Sequence, residues 1–264
     1  MNIINNAFQS EFQNKNCLIT GGLGLIGSKL AEYLHSLESN VFVLDVKERP
    51  ADLPSSIRYM QLDSEFSARN EDLVSQLLTN TQIHHLFNCI SLKEENTFAM
   101  YARFDEYDFD LWRRIMEVNT NWVAKICSLV GKGMIERKFG TIVNFASIYG
   151  ATMGTDQRIY EGIPSEFYFN TPAIYPVTKG GIVALTKHLA TLWGHFNIRV
   201  NAISPGGVYN FQDEIFVNAY SNRVPMNRMA TVEEIVLPAV FLSSNSATYI
   251  NGHELFVDGG LHAW

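Results

Sequence analysis

The chain alternates short, uniformly apolar runs with longer stretches in which apolar residues recur every third or fourth position. NCLIT (16–20), VFVLD (41–45), IRYMQLD (57–63), IHHLFNCI (83–90), GTIVNFASIYG (140–150), FNIRVNAI (196–203) and HELFVDGG (253–260) are of the first kind. Their length and their lack of polar alternation predict seven strands buried on both faces. Helical stripes lie between them. Ile26, Leu30, Leu34 and Leu37 form one, and Phe66, Leu73, Leu77 and Leu78 form another over 66–79. Residues 106–137 are rich in helix formers, and Ile182, Leu185 and Leu189 mark a helix from Tyr175 to about Trp193. A last helix over 231–244 opens with Thr231 and Glu234 at capping-box spacing, and Pro238 inside it predicts a kink. Strands alternating with helices predict an α/β protein.

Four segments break these periods. Residues 1–15 are polar, with Phe8 and Phe12 four apart, and form either a short helix or a tail docked on the body. Residues 92–105 read as an irregular charged loop. Residues 151–171 mix Tyr160, Phe167, Tyr168 and Phe169 with Asp156, Arg158, Glu161 and Glu166. So long a loop is expected to be functional or disordered, and its aromatic content argues for function, as a substrate-side wall. Residues 208–229, with Phe211, Phe216, Tyr220 and Met226, read as a helix-loop lid that closes over substrate and excludes water.

The chain has 264 residues, 47% of them apolar and 18% charged, which suits one globular domain spanning 1–264. A net charge of -7 and the lack of a basic patch offer nothing to nucleic acid or an anionic membrane. Cys17, Cys89 and Cys127 are odd in number and set in apolar runs, so buried free thiols are expected rather than a disulfide or zinc site. The N-terminus lacks the pattern of a signal peptide, and no stretch approaches the ~20 apolar residues of a membrane span. A cytoplasmic location is the expectation.

The chemistry begins at GGLGLIG (21–27), between the first strand and its helix, with the second strand ending at Asp45, 24 residues beyond Gly21. Strand, glycine turn, helix and acid-tipped strand make a dinucleotide-binding unit: the backbone approaches a pyrophosphate and the helix N-terminus faces its charge. Gly21, Gly24, Leu25, Ile26 and Gly27 are the candidate contacts. Asp45 would accept hydrogen bonds from the adenosine ribose and repel a 2′-phosphate, which favours NAD over NADP, with Lys47 and Arg49 tempering that preference. Asp63 is placed to meet the adenine edge, and Ser64 is either a cofactor contact or a helix cap. Asn88 stands at a strand's carboxyl end, where ligands bind in open α/β sheets. His84 and His85 would point to opposite faces, which argues against a metal pair.

A second constellation lies further along. Tyr175 and Lys179 share a helix face, and an ammonium there would lower the phenol from its usual value near ~10, making Tyr175 a general acid/base. Ser147, at the end of the fifth strand, either bonds a substrate oxygen or satisfies the turn. Asn119 is a poor helix former in mid-helix and has either a local bond or a special role. Backbone of Pro205, Gly206 and Val208, leaving the sixth strand, would meet a nicotinamide carboxamide. Candidate substrate contacts are Ser147, Gly207, Arg158 and Tyr160. Arg158 is either a grip for a phosphate or carboxylate or a plain surface charge, and Tyr160 would stack on or bond a sugar.

TGGLGLIG, LD at 44–45 and at 62–63, Asn88, Asn119, Ser147, Tyr175-x-x-x-Lys179, IRVNAISPGG and GHELFVDGG together resemble the short-chain dehydrogenase/reductase family over about residues 14–261. The resemblance implies a Rossmann-type, doubly wound, seven-stranded parallel sheet flanked by helices, in a homodimer or homotetramer. It implies a tetrad in which Tyr175 exchanges a proton with substrate and Ser147 steadies the substrate oxygen. Lys179 would bond the nicotinamide ribose and depress the Tyr175 pKa, and Asn119 would hold a relay water.

Three features depart from the family pattern. Leu25 stands where the middle glycine is usual, and Asn88-Cys89-Ile90-Ser91 replaces NNAG. Ser147 and Tyr175 are 28 apart because of the insertion, which predicts an unusual substrate wall. RIYEG, PAIYPVTKGGI and the DGG-x-x-AW ending are similar to dehydrogenases of bacterial flagellin and surface-glycan modification, including legionaminic-acid-type pathways. The expected activity is therefore NAD-dependent hydride transfer on a sugar or sugar nucleotide. A general alcohol or 3-oxoacyl reductase, or a catalytically silent nucleotide-binding scaffold, are the alternatives.

Overall fold

The computed structural model describes residues 8–64, 67–92, 97–163 and 170–264. The strands are β1 (Asn16–Thr20), β2 (Asn40–Asp45), β3 (Arg58–Gln61), β4 (His85–Asn88), β5 (Gly140–Phe145), β6 (Ile198–Pro205) and β7 (Glu254–Val257). They form one seven-stranded sheet in the order β3-β2-β1-β4-β5-β6-β7, with every neighbouring pair parallel. Parallel neighbours require crossovers, and helices supply them. In chain order these are α1 over 8–12, α2 (Leu25–Ser36), α3 (Ala68–Asn80), α4 (Thr97–Met100), α5 (Phe109–Met116), α6 (Trp122–Arg137), α7 (Ile174–Trp193), α8 (Glu214–Ser221) and α9 (Glu233–Ser243).

Both sheet faces are covered, which is why the strands read as unbroken apolar runs. Successive residues of a strand feed opposite cores. Leu18 joins Val74 of α3, Ile126 of α6 and Ile182 of α7, whereas Ile19 joins Leu30 and Leu34 of α2 and Ile235 of α9. The N-terminal segment is both helical and docked: Phe12 is wholly buried in the second of these cores.

Several boundaries differ from the sequence reading. β5 ends at Phe145, so Ser147 lies two residues beyond it, its Oγ accepting the N–H of Tyr149 at 3.1 Å. A hydroxyl that bonds forward in this way competes with the strand ladder. The cap of α3 is Ser67, which accepts from the Asn70 N–H, and not Ser64. Phe66 lies outside the described residues. The stretch read as helix over 106–137 starts with α5 and passes through a π-helical turn, Glu117–Asn121, before α6. At α9 the Thr231 N–H donates to Glu234 Oε2 (2.8 Å) and the Glu234 N–H to Thr231 Oγ1 (3.4 Å), a complete capping box. The helix runs unbroken through Pro238.

His85 is buried against Phe12 and Phe139 and shares a 2.7 Å hydrogen bond with Thr141 Oγ1, while the neighbouring His84 accepts from the Asn16 N–H. Among the described residues no helix is long and apolar enough to cross a membrane.

Candidate active site

The strand order runs one way from β1 and the other way from β4, so their carboxyl ends flank a crevice. The glycine turn sits there. The Gly21 N–H donates to the Leu44 carbonyl at 2.8 Å, tying the turn to β2. Gly27 admits no side chain, since a Cβ would fall 2.2 Å from the Gly21 carbonyl oxygen. α2 begins at Leu25 with Gly24 as its N-cap; no side chain caps it and its first turn holds no acid. Its first amides, on Leu25, Ile26 and Gly27, are thus open to an anion. Asp45 closes the far side, its carboxylate accepting the Leu23 N–H (2.8 Å) and the Lys47 N–H (3.1 Å). Spare lone pairs on that carboxylate suit a ribose diol. An open helix end beside a fixed acid fits a dinucleotide.

Other candidate contacts on this side are engaged elsewhere. The Asp63 carboxylate accepts from Ser67 Oγ and from Arg69, which draws it toward the start of α3. Ser64 is exposed. Asn88 departs most from the reading. Its Oδ1 accepts from Thr20 Oγ1 (3.2 Å), and its Nδ2 donates to Asn144 Oδ1 (2.8 Å) and Cys127 Sγ (3.3 Å). Asn144 Nδ2 donates in turn to Thr186 Oγ1 at 2.9 Å. The Asn88 amide is therefore a buried rung joining β1, β4, β5 and α7, because in-register neighbours on adjacent strands present polar side chains at the same height.

The tetrad candidates come from three places at the carboxyl ends of the strands: the π-helical turn before α6, the loop after β5, and α7, which carries both Tyr175 and Lys179. Asn119 lies in the π-helical turn, and its Oδ1 accepts the Leu92 N–H at 2.6 Å, pinning the loop after β4. Lys179, buried on α7, donates from Nζ to the Phe145 carbonyl at 2.9 Å, and Nζ lies 5.9 Å from the centre of the Tyr175 ring. Tyr175, in the first turn of α7, meets the Ser147 hydroxyl. The expected lowering of the Tyr175 pKa is reversed. Burial pushes the phenol up, the bond from Ser147 offsets part of this, and nearby Tyr101 adds to the rise. The Lys179 ammonium bonds the Phe145 carbonyl and also stands over the Tyr175 ring.

Beyond β6, the Gly206 N–H donates to the Val257 carbonyl at 3.0 Å. The Gly207 N–H is spent on the Tyr220 hydroxyl, and a Cβ on Gly207 would sit 2.6 Å from the Tyr220 ring, so glycine admits that ring. With its N–H engaged in this way, Gly207 has its carbonyl, which accepts the Ala230 N–H at 2.9 Å, and its Cα facing its neighbours. The Val208 carbonyl accepts from Gln212 Nε2 (2.9 Å), while its N–H has no partner among the described residues.

Part of the insertion forms a 3-10 turn, Gln157–Tyr160. Phe167, Tyr168, Phe169 and Glu166 lie outside the described residues. The Tyr160 ring packs on Phe216 of α8 and Tyr101, and its hydroxyl shares a 3.0 Å bond with Thr171 Oγ1. Arg158 is exposed and grips Asp156 through Nε (2.8 Å) and Nη2 (2.7 Å). Arg223, which the sequence reading passed over, holds the same carboxylate through Nε at 2.7 Å. Tyr149, Tyr101 and the role of Tyr220 were missed as well. The only sequence signal for Tyr220 is its spacing from Phe216, one turn earlier on α8.

The chain is similar to known proteins over nearly its whole length. A family model described as Enoyl-(Acyl carrier protein) reductase matches residues 24–262. The 3-oxoacyl-[acyl-carrier-protein] reductase of Chlamydia muridarum is 28% identical over 260 residues, 94% of this chain and 97% of that protein. The 5-keto-D-gluconate 5-reductase of Escherichia coli K12 is 26% identical over 262 residues, 94% of this chain and 95% of that one. A short-chain dehydrogenase of Leptospira borgpetersenii, solved with bound NAD+, superposes with a TM-score of 0.85 at 31% identity, covering 97% of this chain and 95% of its own. The chain belongs to the short-chain dehydrogenase/reductase family and is an NAD(P)-dependent oxidoreductase.

Proposed function

We propose that the protein moves a hydride between NAD and a hydroxyl- or keto-bearing carbon of a carbohydrate-derived substrate. The meeting of Ser147, Tyr175 and Lys179 at the carboxyl end of β5 carries this reading. NAD, when bound, supplies the hydride acceptor or donor. The open first turn of α2 would hold its pyrophosphate, Asp45 its ribose, and the Val208 N–H, without a partner among the described residues, its carboxamide. Tyr175, kept protonated by burial, gives its proton to a substrate carbonyl oxygen in reduction and must lose it first in oxidation. Ser147 steadies that oxygen. Lys179, anchored on Phe145, would bond the cofactor ribose, and Asn119 fixes the loop at Leu92 and keeps its amide nitrogen for a relay water.

The choice of NAD over NADP rests on Asp45 and on Arg49. The Arg49 guanidinium donates to the carbonyls of Leu53, Pro54 and Ile57, which leaves it unsuited to gripping a 2′-phosphate. A carbohydrate substrate is favoured by the tyrosine-rich wall and by the ketogluconate reductase likeness. A role in surface-glycan modification is part of the same proposal and rests on the motif similarity of RIYEG, PAIYPVTKGGI and the DGG-x-x-AW ending alone. The likeness to the Chlamydia enzyme supports a second reading, 3-oxoacyl reduction. One assay separates them: sugars, sugar nucleotides and an acetoacetyl thioester, each followed by nicotinamide absorbance with NAD(H) and NADP(H). Turnover of the thioester alone would overturn the carbohydrate reading.

A homodimer or homotetramer is the assembly we propose. α5 packs on α7, and the pair exposes Phe104, Phe109, Val177 and Leu192 on or beside these helices.

A further inference from the structure

A cavity of about 340 Å³ lies beside the candidate active site, lined among others by Tyr149, Asp156, Arg158, Tyr220, Arg223 and Trp264. That volume is at the lower end of small-ligand sites, roughly 300–1,000 Å³. Two of its walls are continuous with the reacting centre. The Tyr149 N–H donates to Ser147 Oγ at 3.1 Å, and the Tyr220 hydroxyl accepts the Gly207 N–H at the exit of β6.

The charge in this cavity is unbalanced. Arg158 and Arg223 share a single carboxylate, Asp156, whose two oxygens accept from Arg158 Nε, Arg158 Nη2 and Arg223 Nε. One net positive charge remains. Arg223 is the better held of the two, at 25% side-chain exposure against 69% for Arg158, and its Nη1 also donates to the Ala219 carbonyl. Its Nη2 has no partner among the described residues. Arg158 has Glu161 nearby, which weakens its claim on an anion. Beside the guanidiniums, Tyr149, Tyr220 and Trp264 offer flat ring faces suited to a polyhydroxylated chain or ring, while the Tyr149 and Tyr220 hydroxyls bond each other and the Trp264 indole N–H donates to the Arg223 carbonyl.

We infer that this cavity seats the anionic end of the substrate: a polyhydroxylated molecule whose carboxylate or phosphate is held by Arg223, with Arg158 at the mouth. This rests on the proposed function in placing the reacting carbon at Ser147 and Tyr175, and it adds a charge requirement at the remote end. Guanidinium forks recognise carboxylate and phosphate alike, so both sources are tested.

The test uses D-gluconate, D-glucose 6-phosphate and D-glucitol with the NAD-loaded protein. Binding is read from the emission of Trp264, isolated by subtracting a W264F variant, and turnover from nicotinamide absorbance. At least one acid should saturate at a concentration roughly 10- to 100-fold below glucitol, the margin of a charge-assisted hydrogen bond. The acid that binds more tightly identifies the anion. R223Q should bring acids and glucitol together, whereas R223K should keep most of the gap, which separates loss of charge from loss of structure. Equal saturation by all three probes, no binding of either acid, or an unchanged gap in R223Q would each overturn the inference. Acid-selective binding without nicotinamide reduction would uphold it and count against hydride transfer. Turnover of all three probes without charge preference would do the reverse.

Discussion

Lys179 Nζ and the Phe145 carbonyl are 2.9 Å apart, and this bond turns the ammonium toward the end of β5 while Tyr175 remains under the control of burial. Tyr175 is thus set as an acid. Its raised pKa keeps the proton on at neutral pH, so reduction of a carbonyl should be nearly pH-independent there. Oxidation of the alcohol needs the phenolate and should rise about tenfold per pH unit up to the Tyr175 pKa. Comparing pH–rate profiles in the two directions checks this, and an oxidation rate already flat at pH 7 would contradict it. Y175F should lose at least ~100-fold in kcat with NADH affinity preserved.

Asp45 has two duties, one toward the glycine turn and one toward the ribose we assign to it. D45N keeps the shape but loses the charge that would repel a 2′-phosphate. The expected result is a KM for NAD raised about tenfold and a smaller preference over NADP, as one charge-assisted bond weakens. Kinetics with both cofactors measure the ratio. No change in that ratio would remove Asp45 from cofactor selection.

The seven strands and the main helices were legible because burial on both faces writes itself as apolar runs between helical stripes. The glycine turn and Asp45 were legible through the strand–turn–helix–strand order that carries them, and the Tyr175–Lys179 pair through its i, i+4 spacing, although the Phe145 carbonyl that holds the lysine lies 34 residues away. What lay hidden depends on partners distant in sequence. Asn88 reads as a ligand-facing strand end, yet Thr20 and Asn144 stand beside it in register and take up its amide. Gly207 reads as a candidate substrate contact, and nothing in the sequence shows that Tyr220, on a helix with no clear period, accepts its N–H. Arg223 could not be paired with Asp156 from sequence, since 67 residues separate them.

His85, the first residue of β4 and so at the amino ends of the strands, away from the active site, predicts an acid sensitivity. Burial, reinforced by His84 and Arg199, pushes its pKa down to about 3, so the folded chain holds it neutral while the unfolded chain protonates it near ~6.5. Its stabilising contribution is complete above pH ~6.5 and is lost, at most ~1.4 kcal/mol per pH unit, as pH falls toward 3. H85F, which cannot take a proton, should show a flatter decline of Tm between pH 6.5 and 4 than the parent protein. Parallel declines would mean that other groups govern acid unfolding.

Apolar exposure on α5 predicts assembly. Phe109 is 54% exposed and stacked on Trp112 at 5.7 Å, and Phe104 is 62% exposed. A carboxylate at that place would be desolvated in any interface built there. F109D should therefore shift the protein toward monomer in sedimentation velocity, and the melting temperature should become less dependent on concentration. An unchanged sedimentation coefficient would move the interface elsewhere.

Asn119, within the π-helical turn Glu117–Asn121, joins the helix interior to the loop after β4 through its 2.6 Å bond from the Leu92 N–H. N119A strips the acceptor from the Leu92 N–H in a half-buried setting, which should cost about 1–3 kcal/mol of stability. If Asn119 also holds a relay water, kcat should fall further than the altered loop explains. The separating measurement is the solvent deuterium isotope effect on kcat. Proton relay predicts that N119A changes this effect. A purely structural role predicts a lower Tm and altered KM values with the isotope effect unmoved.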